Sequence, residues 1–284
     1  MRHAATRHNP VRDHSTIRSW SIQRLNQRGS LLKIVVTVKQ VPDPNAPQGL
    51  DADNTIARDR EVVLDPGDEC GIEIGLQLKE ANGGEVVLVS MGPEKARDAI
   101  RKGLSMGADR GILITDGDLA GADALLTARA LAAAIGPESP DLVICATESY
   151  DGSTGMVPPM LAELLGLPQL TFAKHVEVAD GKVTVHRQTD EGFQVIEAET
   201  PGLITVTAGI AEPRYASLKG IMAARSKEVK VASASDLGIE RGQLAETVEG
   251  IVDAEARKAG EVVEDDGTIG VEKIIGVLQA AKVI

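Results

Sequence analysis

Aromatic residues are scarce in this sequence. They make up 2% of the 284 residues, and they are Trp20, Tyr150, Phe172, Phe193 and Tyr215. Proteins that grip a planar cofactor or nucleic-acid bases by stacking need more aromatic side chains than this. The net charge of −12 also argues against nucleic-acid binding, because a phosphate backbone is bound by a basic surface.

Cysteines and long apolar runs are scarce as well. Cys70 and Cys145 are the two cysteines, and their spacing fits neither a metal site nor a redox motif. We interpret both as ordinary thiols of a reducing cytoplasm. No apolar run reaches the roughly 18 residues of a membrane-spanning helix. We therefore expect a cytoplasmic protein without a membrane span.

The motifs of common nucleotide-dependent enzymes are also missing. No Gly-x-Gly-x-x-Gly and no Gly-x-Ser-x-Gly elbow directly follows an apolar strand run, and there is no Gly-x-x-x-x-Gly-Lys-Ser/Thr phosphate loop. Cys145 has no neighbouring His or charge that would activate a thiol. Asp116-Gly-Asp118 is more typical of a turn than of an acid–base pair. The sequence therefore predicts no catalytic residue and no metal site.

Residues 1–31 differ in composition from the rest of the chain. Residues 1–30 contain six Arg, no Lys and a single acidic residue, Asp13. We interpret this segment as a disordered extension, or as translation begun upstream of the true start. An organelle transit peptide is the less favoured alternative, because Pro10 interrupts a segment with little helical amphipathicity.

Strand and helix patterns alternate from residue 32 to residue 232, which predicts an α/β domain. Apolar runs typical of buried parallel strands cover residues 32–38, 85–90, 110–115, 142–146 and 203–207. Helical patterns cover residues 69–81, 94–106, 123–135 and 160–165. Asp68 is the expected N-cap of the first helix. The alternation predicts a doubly wound, mostly parallel sheet of the adenine-nucleotide-binding type.

Two further regions are expected outside this alternating pattern. The strand patterns at residues 176–178, 182–187 and 193–198 are separated by the turn signals Ala179-Asp-Gly181 and Asp190-Glu-Gly192, which predicts a β-meander insertion. Residues 233–284 have too few apolar positions for a core of their own. We expect them to form an extended C-terminal arm that packs on a partner.

Residues 146–160, called the central loop below, join the fourth predicted strand to a helix. Ligands of open α/β sheets gather at such positions, and a helix N-terminus offers free N–H groups to phosphate. Gly152 and Gly155 allow a ligand to approach the backbone. Ser153 and Thr154 add hydroxyl groups, and Asp151 is an acceptor suited to a ribose or to capping. The alternative is an ordinary strand–helix loop in which Ser and Thr cap the helix.

Several segments, in order along the chain, resemble the β subunit of electron transfer flavoproteins. They are residues 33–43, 64–66, 89–93, 99–110, the central loop, 168–173 and 212–218. The Glu-Pro-Arg-Tyr-Ala-Ser-Leu run at residues 212–218 is the most specific of them. The resemblance extends from about residue 33 to the C-terminus and does not include residues 1–30.

The resemblance implies an electron carrier and not an enzyme. Members of this family form a heterodimer with an α subunit and carry electrons from dehydrogenases, typically acyl-CoA dehydrogenases, to a quinone-reducing oxidoreductase. FAD is held mainly by the α subunit, and the β subunit binds a structural AMP. Residues 233–284 would then wrap the α subunit.

The resemblance also implies two sets of site residues. The AMP pocket would comprise Thr37, Val38, Lys39, Asp65, Pro66, Gly67, Asp68, Ser90, Met91, Ala146, Thr147, Glu148, Ser149, Tyr150, Asp151, Gly152, Ser153, Thr154, Gly155, Met156 and Val157. Residues 212–225, called the docking segment below, would bind the dehydrogenase through Glu212, Pro213, Arg214, Tyr215, Leu218, Ile221 and Met222. Leu218 would be the anchor, and Arg214, Lys219 and Arg225 would form a polar rim.

The sequence departs from the family pattern at two positions of the pocket. Many members have Asn in place of Asp65 and an aromatic residue in place of Gly67. We therefore expect Asp65 to contact adenosine and not phosphate. Two alternatives stay open: an electron-bifurcating subunit, which holds a second FAD in place of AMP and tends to have Asp-Gly-Asp-Thr in the central loop, and an ATP-binding stress-type sensor domain.

Overall fold

The computed structural model describes residues 31–47, 49–51, 54–58, 61–252, 260, 262, 264, 267 and 269–284. These residues form two compact units, with the boundary between Thr247 and Val248. The expectations for residues 1–30 lie outside the described residues. None of the helices that the structure describes has the length and apolar character needed to cross a bilayer.

A nine-stranded sheet forms the centre of the larger unit. Its strands are β1 Leu32–Thr37, β4 Gly84–Met91, β5 Arg110–Ile114, β6 Leu142–Ala146, β7 Gln169–Ala179, β8 Lys182–Thr189, β9 Gly192–Glu199, β10 Gly202–Val206 and β11 Val229–Ala232. Their order is β11-β5-β4-β1-β6-β10-β7-β8-β9. A separate antiparallel pair is formed by β2 Gln40–Pro42 and β3 Val62–Leu64.

Helices cover both faces of the sheet. They are α1 Pro66–Asn82, α2 Arg97–Met106, α3 Ala124–Ile135, α4 Val157–Leu165 and α5 Leu218–Ala224. The smaller unit contains a separate helix, α6 Ile269–Ala280. Ile34 and Val36 of β1 belong to one apolar core with α1 and α2, whereas Val35 belongs to a second core with α3 and α4. Successive strand residues point to opposite faces, so both faces of β1 are buried. The predicted doubly wound α/β fold is confirmed.

The prediction that Asp68 caps the first helix is wrong. The helix begins at Pro66, and its N-cap is Asp65, whose Oδ1 accepts the Gly67 N–H over 2.8 Å. Proline favours the first helical position because it lacks the N–H that would be unpaired there. Asp68 therefore lies inside the first turn, where its Oδ2 accepts the Lys39 N–H over 2.7 Å.

The meander is confirmed, but its first strand is longer than predicted. Residues 176–178, predicted as the first strand of the meander, are part of the longer strand β7, Gln169–Ala179. This strand pairs in parallel with β10 and then antiparallel with β8, with a shift in register between Ala173 and His175. Phe172, just before the shift, has a φ of +58°. The meander is thus continuous with the central sheet.

A strand just before the predicted arm, and contacts made by the first residues of the arm, were not expected. β11 adds an edge to the sheet by pairing in parallel with β5. Further on, Asp123, the N-cap of α3, accepts the Ala245 N–H over 2.6 Å, and Arg241 donates to the Asp118 carbonyl over 2.8 Å. Residues up to Thr247 therefore belong to the larger unit. That residues 233–284 wrap an α subunit stays a prediction.

Candidate functional site

Three strand ends and two helix starts meet at the carboxyl edge of the sheet. The Val38 N–H donates to the Val89 carbonyl over 2.8 Å, which joins the end of β1 to β4. The Tyr150 N–H, in the central loop after β6, donates to Asp65 Oδ2 over 2.7 Å. The structure thus brings together the predicted pocket residues of β1, β4, β6, α1 and the central loop.

Asp65 and Asp68 form a buried acidic pair beneath the central loop. Asp65 is 2% exposed, and both of its carboxylate oxygens accept backbone N–H groups of the protein. Burial raises the pKa of the Asp68 carboxyl well above its ordinary value, and the negative charge of Asp65 raises it further. Asp68 therefore favours its protonated form more than an exposed Asp does.

Asp151, predicted as an acceptor for a ribose or for capping, pairs with two cations of the protein. Its contact with a nucleotide stays a prediction. Its side chain is 1% exposed; Oδ1 accepts from Lys39 Nζ over 2.6 Å, and Oδ2 accepts from Arg58 over 2.8 Å. Burial by itself would raise the pKa of Asp151, but Lys39, Ser149 and Arg58 lower it below its ordinary value. Both oxygens are thus occupied by protein cations, so Asp151 positions Lys39 and Arg58 beside the central loop.

Arg58 was missed by the sequence analysis. It lies in a polar excursion between β2 and β3, and its second contact is a 2.7 Å hydrogen bond to the Gln40 carbonyl. The 93-residue separation from Asp151 leaves no local pattern from which the pairing follows. The only signal was that Arg58 is one of two arginines, with Arg60, in a polar stretch.

The central loop presents unpaired backbone N–H groups. Those of Gly152, Thr154 and Gly155 have no acceptor among the residues that the structure describes. Gly155 has a φ of +61° and Ser153 one of +45°, so the backbone alternates in handedness. The Ser153 N–H is paired with the Ser149 carbonyl over 2.9 Å, so Thr154 and Gly155 are the two adjacent free N–H groups. Adjacent free N–H groups in such a turn are typical of an anion-binding concavity.

The start of α4 adds to this concavity. Its N-cap residue, Met156, makes no side-chain capping hydrogen bond. The Met156 N–H reaches Thr154 Oγ1 only at 3.4 Å, so Ser and Thr capping accounts for little of the loop. A Cβ atom at Gly152 would lie 3.1 Å from Ser149 Oγ and 3.9 Å from Lys39 Nζ. A side chain at this position would therefore crowd Ser149, and the loop backbone lies close to the Lys39 ammonium.

Two buried groups lie on the strands below the site. Ser90, at the end of β4, is fully buried, and its Oγ is without a hydrogen-bond partner in the described part of the chain. Cys145, in β6, is buried, and this burial raises the pKa of its thiol to about 12. The Cys145 thiol therefore stays protonated at neutral pH and is a poor nucleophile.

An open cleft of about 600 Å³ adjoins the site. It is lined by Gly67, Ala146, Thr147, Glu148, Phe172, Gln188, Thr189, Asp190, Val206, Thr207 and Ala208. The residues from the meander were not predicted, because they reach the cleft only through the long strand β7. Those at the end of β10 were also not predicted, although β10 pairs directly with β6. Phe172 is the single aromatic residue of this lining and is 47% exposed. No group of three or more possible metal ligands occurs in the described ranges.

The docking segment lies elsewhere on the larger unit. Tyr215 is 93% exposed, Leu218 75%, Met222 66% and Ile221 45%. Leu218 is the first residue of α5 and is displayed, not packed beneath its own loop. Arg214, expected in a polar rim, instead turns inward to Glu73 and Glu80 on α1.

Comparison with known proteins adds a family assignment to this geometry. Residues 53–237 match the family model described as "Electron transfer flavoprotein domain". A protein of Mycobacterium tuberculosis (strain H37Rv) named electron transfer flavoprotein subunit beta is 43% identical over 267 residues, which covers 89% of this chain and 100% of that protein. Proteins of the same name from Thermoanaerobacterium thermosaccharolyticum and Megasphaera elsdenii are 39% and 36% identical, over 75% and 89% of this chain and 83% and 100% of their own lengths.

Proposed function

Because this chain belongs to the electron transfer flavoprotein β-subunit family, we propose that it is the β subunit of a heterodimer that accepts electrons from acyl-CoA and related dehydrogenases. The heterodimer passes these electrons to a quinone-reducing oxidoreductase. FAD, held mainly by the α subunit, supplies the redox chemistry. This chain binds a structural AMP and carries out no bond-making step of its own. The proposed location is the cytoplasm.

The observation that carries the AMP proposal is the unpaired backbone of the central loop. Free N–H groups at Gly152, Thr154 and Gly155 occur in the same loop as Asp151, which holds the Lys39 ammonium close to Gly152. Oriented N–H groups and a cation at a helix start are the usual receptor for a nucleotide phosphate. The buried hydroxyl of Ser90 adds a further hydrogen-bonding group on β4, below the site.

The composition of the neighbouring cleft supports placing FAD mainly on the α subunit. Phe172 is the one aromatic side chain in its lining, and Gly67 stands where many family members have an aromatic residue. A flavin ring stacked by this chain alone would lack a second aromatic partner. The cleft therefore suits a ring that another subunit also contacts.

Two exposed apolar surfaces support the proposed partners. Tyr215, Leu218 and Met222 of the docking segment form an apolar cluster of the kind that marks interaction sites, and we assign it to the dehydrogenase. Within the smaller unit, the apolar side chains Ile274 and Val277 of α6 are each 62% exposed. We assign this helix and the rest of the arm to the α subunit.

The test is to coexpress this chain with its α subunit, purify the heterodimer, and identify the nucleotides released on denaturation. We expect one FAD and one AMP per heterodimer. Two FAD and no AMP would establish the bifurcating alternative. Bound ATP, together with failure to form a flavin-containing heterodimer, would establish the sensor alternative.

A further inference from the structure

The docking segment is tied to helix α1 by one side chain. Residues 212–217 contain no helix or strand. The Arg214 N–H and Nε both donate to Glu73 Oε2, over 3.1 and 2.8 Å, and Nη2 donates to Glu73 Oε1 over 3.0 Å. Nη1 and Nη2 also pair with Glu80, which lies about two turns further along α1. Arg214 thus holds two carboxylates of one helix at once.

The Glu73 partner is built to receive this guanidinium. Glu73 is 4% exposed, and Gln77, one turn along α1, donates to its Oε1 over 2.9 Å. A buried carboxylate without a partner is costly, so Glu73 and Arg214 require each other. A fork of this kind also fixes orientation, because the planar guanidinium matches a carboxylate at two points.

The apolar cluster begins immediately after this tie. Arg214 points inward, whereas the next residue, Tyr215, is almost fully exposed. Beyond it, Ser217 caps α5 by accepting the Gly220 N–H over 3.0 Å. A Cβ atom at Gly220 would lie 2.4 Å from the Ser105 carbonyl oxygen, so α5 sits close against α2. The exposed residues are therefore held on one side by the ion pairs of Arg214 and on the other by the packing of α5 against α2.

We propose that Arg214 is a positioning residue for partner docking: its fork onto Glu73 and Glu80 holds Tyr215 and Leu218 in the arrangement that the dehydrogenase binds. This inference rests on the proposed docking function. A surface that is ordered before binding loses less conformational freedom on docking. Removing the tie should therefore weaken docking while leaving electron transfer within the docked complex unchanged.

The test uses the intact heterodimer and steady-state reduction by an acyl-CoA dehydrogenase. Arg214→Ala should raise the KM for the heterodimer by roughly tenfold, the cost of ordering two side chains on docking, with kcat unchanged. Arg214→Lys should raise KM nearly as much, because Lys keeps the charge but loses the fork. The matched control is Arg110→Ala, since Arg110 pairs similarly with Glu138 (2.6 Å) and Glu85 (3.3 Å) at the start of β5. It should leave KM unchanged.

Combination with Leu218→Ala separates the possible outcomes. If Arg214 acts by placing Leu218, the double variant should lose less affinity than the product of the two single losses. If the losses of the two single variants multiply fully, or if Arg214→Lys keeps the wild-type KM, Arg214 acts as a charge in the rim. Either result would overturn the positioning role but leave the docking function standing. If Leu218→Ala itself leaves KM unchanged, the docking function fails and this inference falls with it.

Discussion

The backbone N–H of Tyr150 donates to the carboxylate of Asp65 over 2.7 Å, which links residues 85 positions apart in the chain. The same carboxylate caps α1 through the Gly67 N–H. One side chain therefore starts a helix and fixes the start of the central loop. Its loss affects both the fold and the proposed nucleotide site.

Replacing Asp65 with Ala should lower the free energy of unfolding by about 2 kcal/mol, because a helix cap and a hydrogen bond to the central loop are both lost. Asp65→Asn should cost less, since its amide oxygen still accepts an N–H. Urea unfolding of the isolated chain measures both. The matched variant Asp123→Ala removes the cap of α3. Asp123 also accepts the Ala245 N–H, so this variant should cost a similar amount, about 2 kcal/mol, and leave nucleotide content unchanged.

The raised pKa of Asp68 predicts a stability that falls as the pH rises. The unfolded chain releases this proton near pH 4, at a pKa of about 3.9, whereas the folded protein retains it to higher pH. The folded state then binds more protons, so the free energy of unfolding declines from about pH 4 until the folded pKa is passed. The total decline is about 1.4 kcal/mol for each unit by which the folded pKa exceeds the unfolded pKa.

Asp68→Asn, which resembles the protonated carboxyl, should remove this decline. The unfolding free energies of the two proteins should diverge, with the variant more stable as the pH rises. Melting curves recorded from pH 4 to pH 8 measure the difference. Asn in place of the exposed Asp98 on α2 serves as the control. Parallel pH profiles for the wild type and Asp68→Asn would contradict the prediction.

Gly152→Val should expel the nucleotide. A Cβ atom there approaches Ser149 Oγ to 3.1 Å, and the branched side chain would fill the space next to Lys39. We expect the heterodimer to lose AMP and part of its stability while the flavin spectrum stays largely intact. Nucleotide extraction and absorbance spectra are the measurements. Gly117→Val is the control, because no atom lies within 4 Å of a Cβ built there. Retained AMP in Gly152→Val would argue against the site.

Leu218→Ala should weaken electron transfer from the dehydrogenase. Complete burial of a leucine on docking contributes about 1.5–3 kcal/mol, which corresponds to roughly tenfold to 150-fold in affinity. The effect should appear mainly in dissociation. Cofactor content and melting temperature should change little, because Leu218 is 75% exposed in the free protein.

Dehydrogenase-driven reduction of the flavin, compared with reduction by dithionite in the same variant, measures the Leu218 effect. Leu164→Ala on α4 is a matched control, since this leucine is 45% exposed and lies outside the docking segment. An equal loss in both variants, or a large fall in heterodimer stability, would contradict the assignment.

The central strands could be predicted from sequence because their burial on both faces demands unbroken apolar runs. β1, β4 and β6 are of this kind, and each was predicted to within about two residues. β11 was missed because it is an edge strand, and Lys230 breaks its short apolar pattern. The cap of α1 was misplaced by three residues, although Pro66 signals the first helical position.

The site was only partly predictable, because its decisive contacts join distant parts of the chain. The predicted pocket residues meet because parallel strands end at one edge of the sheet. The contacts of Arg58 with Asp151 and of Arg214 with Glu73 span 93 and 141 residues. No local pattern encodes such pairs, and the charge of an Arg alone does not indicate whether it faces a carboxylate or solvent.

The change of pairing within β7 determines how the cleft can vary. Because this strand belongs to both the central sheet and the meander, β8 is paired to the sheet as far as Arg187. The wall formed by Gln188, Thr189 and Asp190 is the tip of the β8–β9 hairpin just beyond that pairing. Lengthening the turn between β8 and β9 would deepen the cleft without disturbing the strands, which makes this turn a place where descendants of one ancestral protein can acquire different ligand sizes.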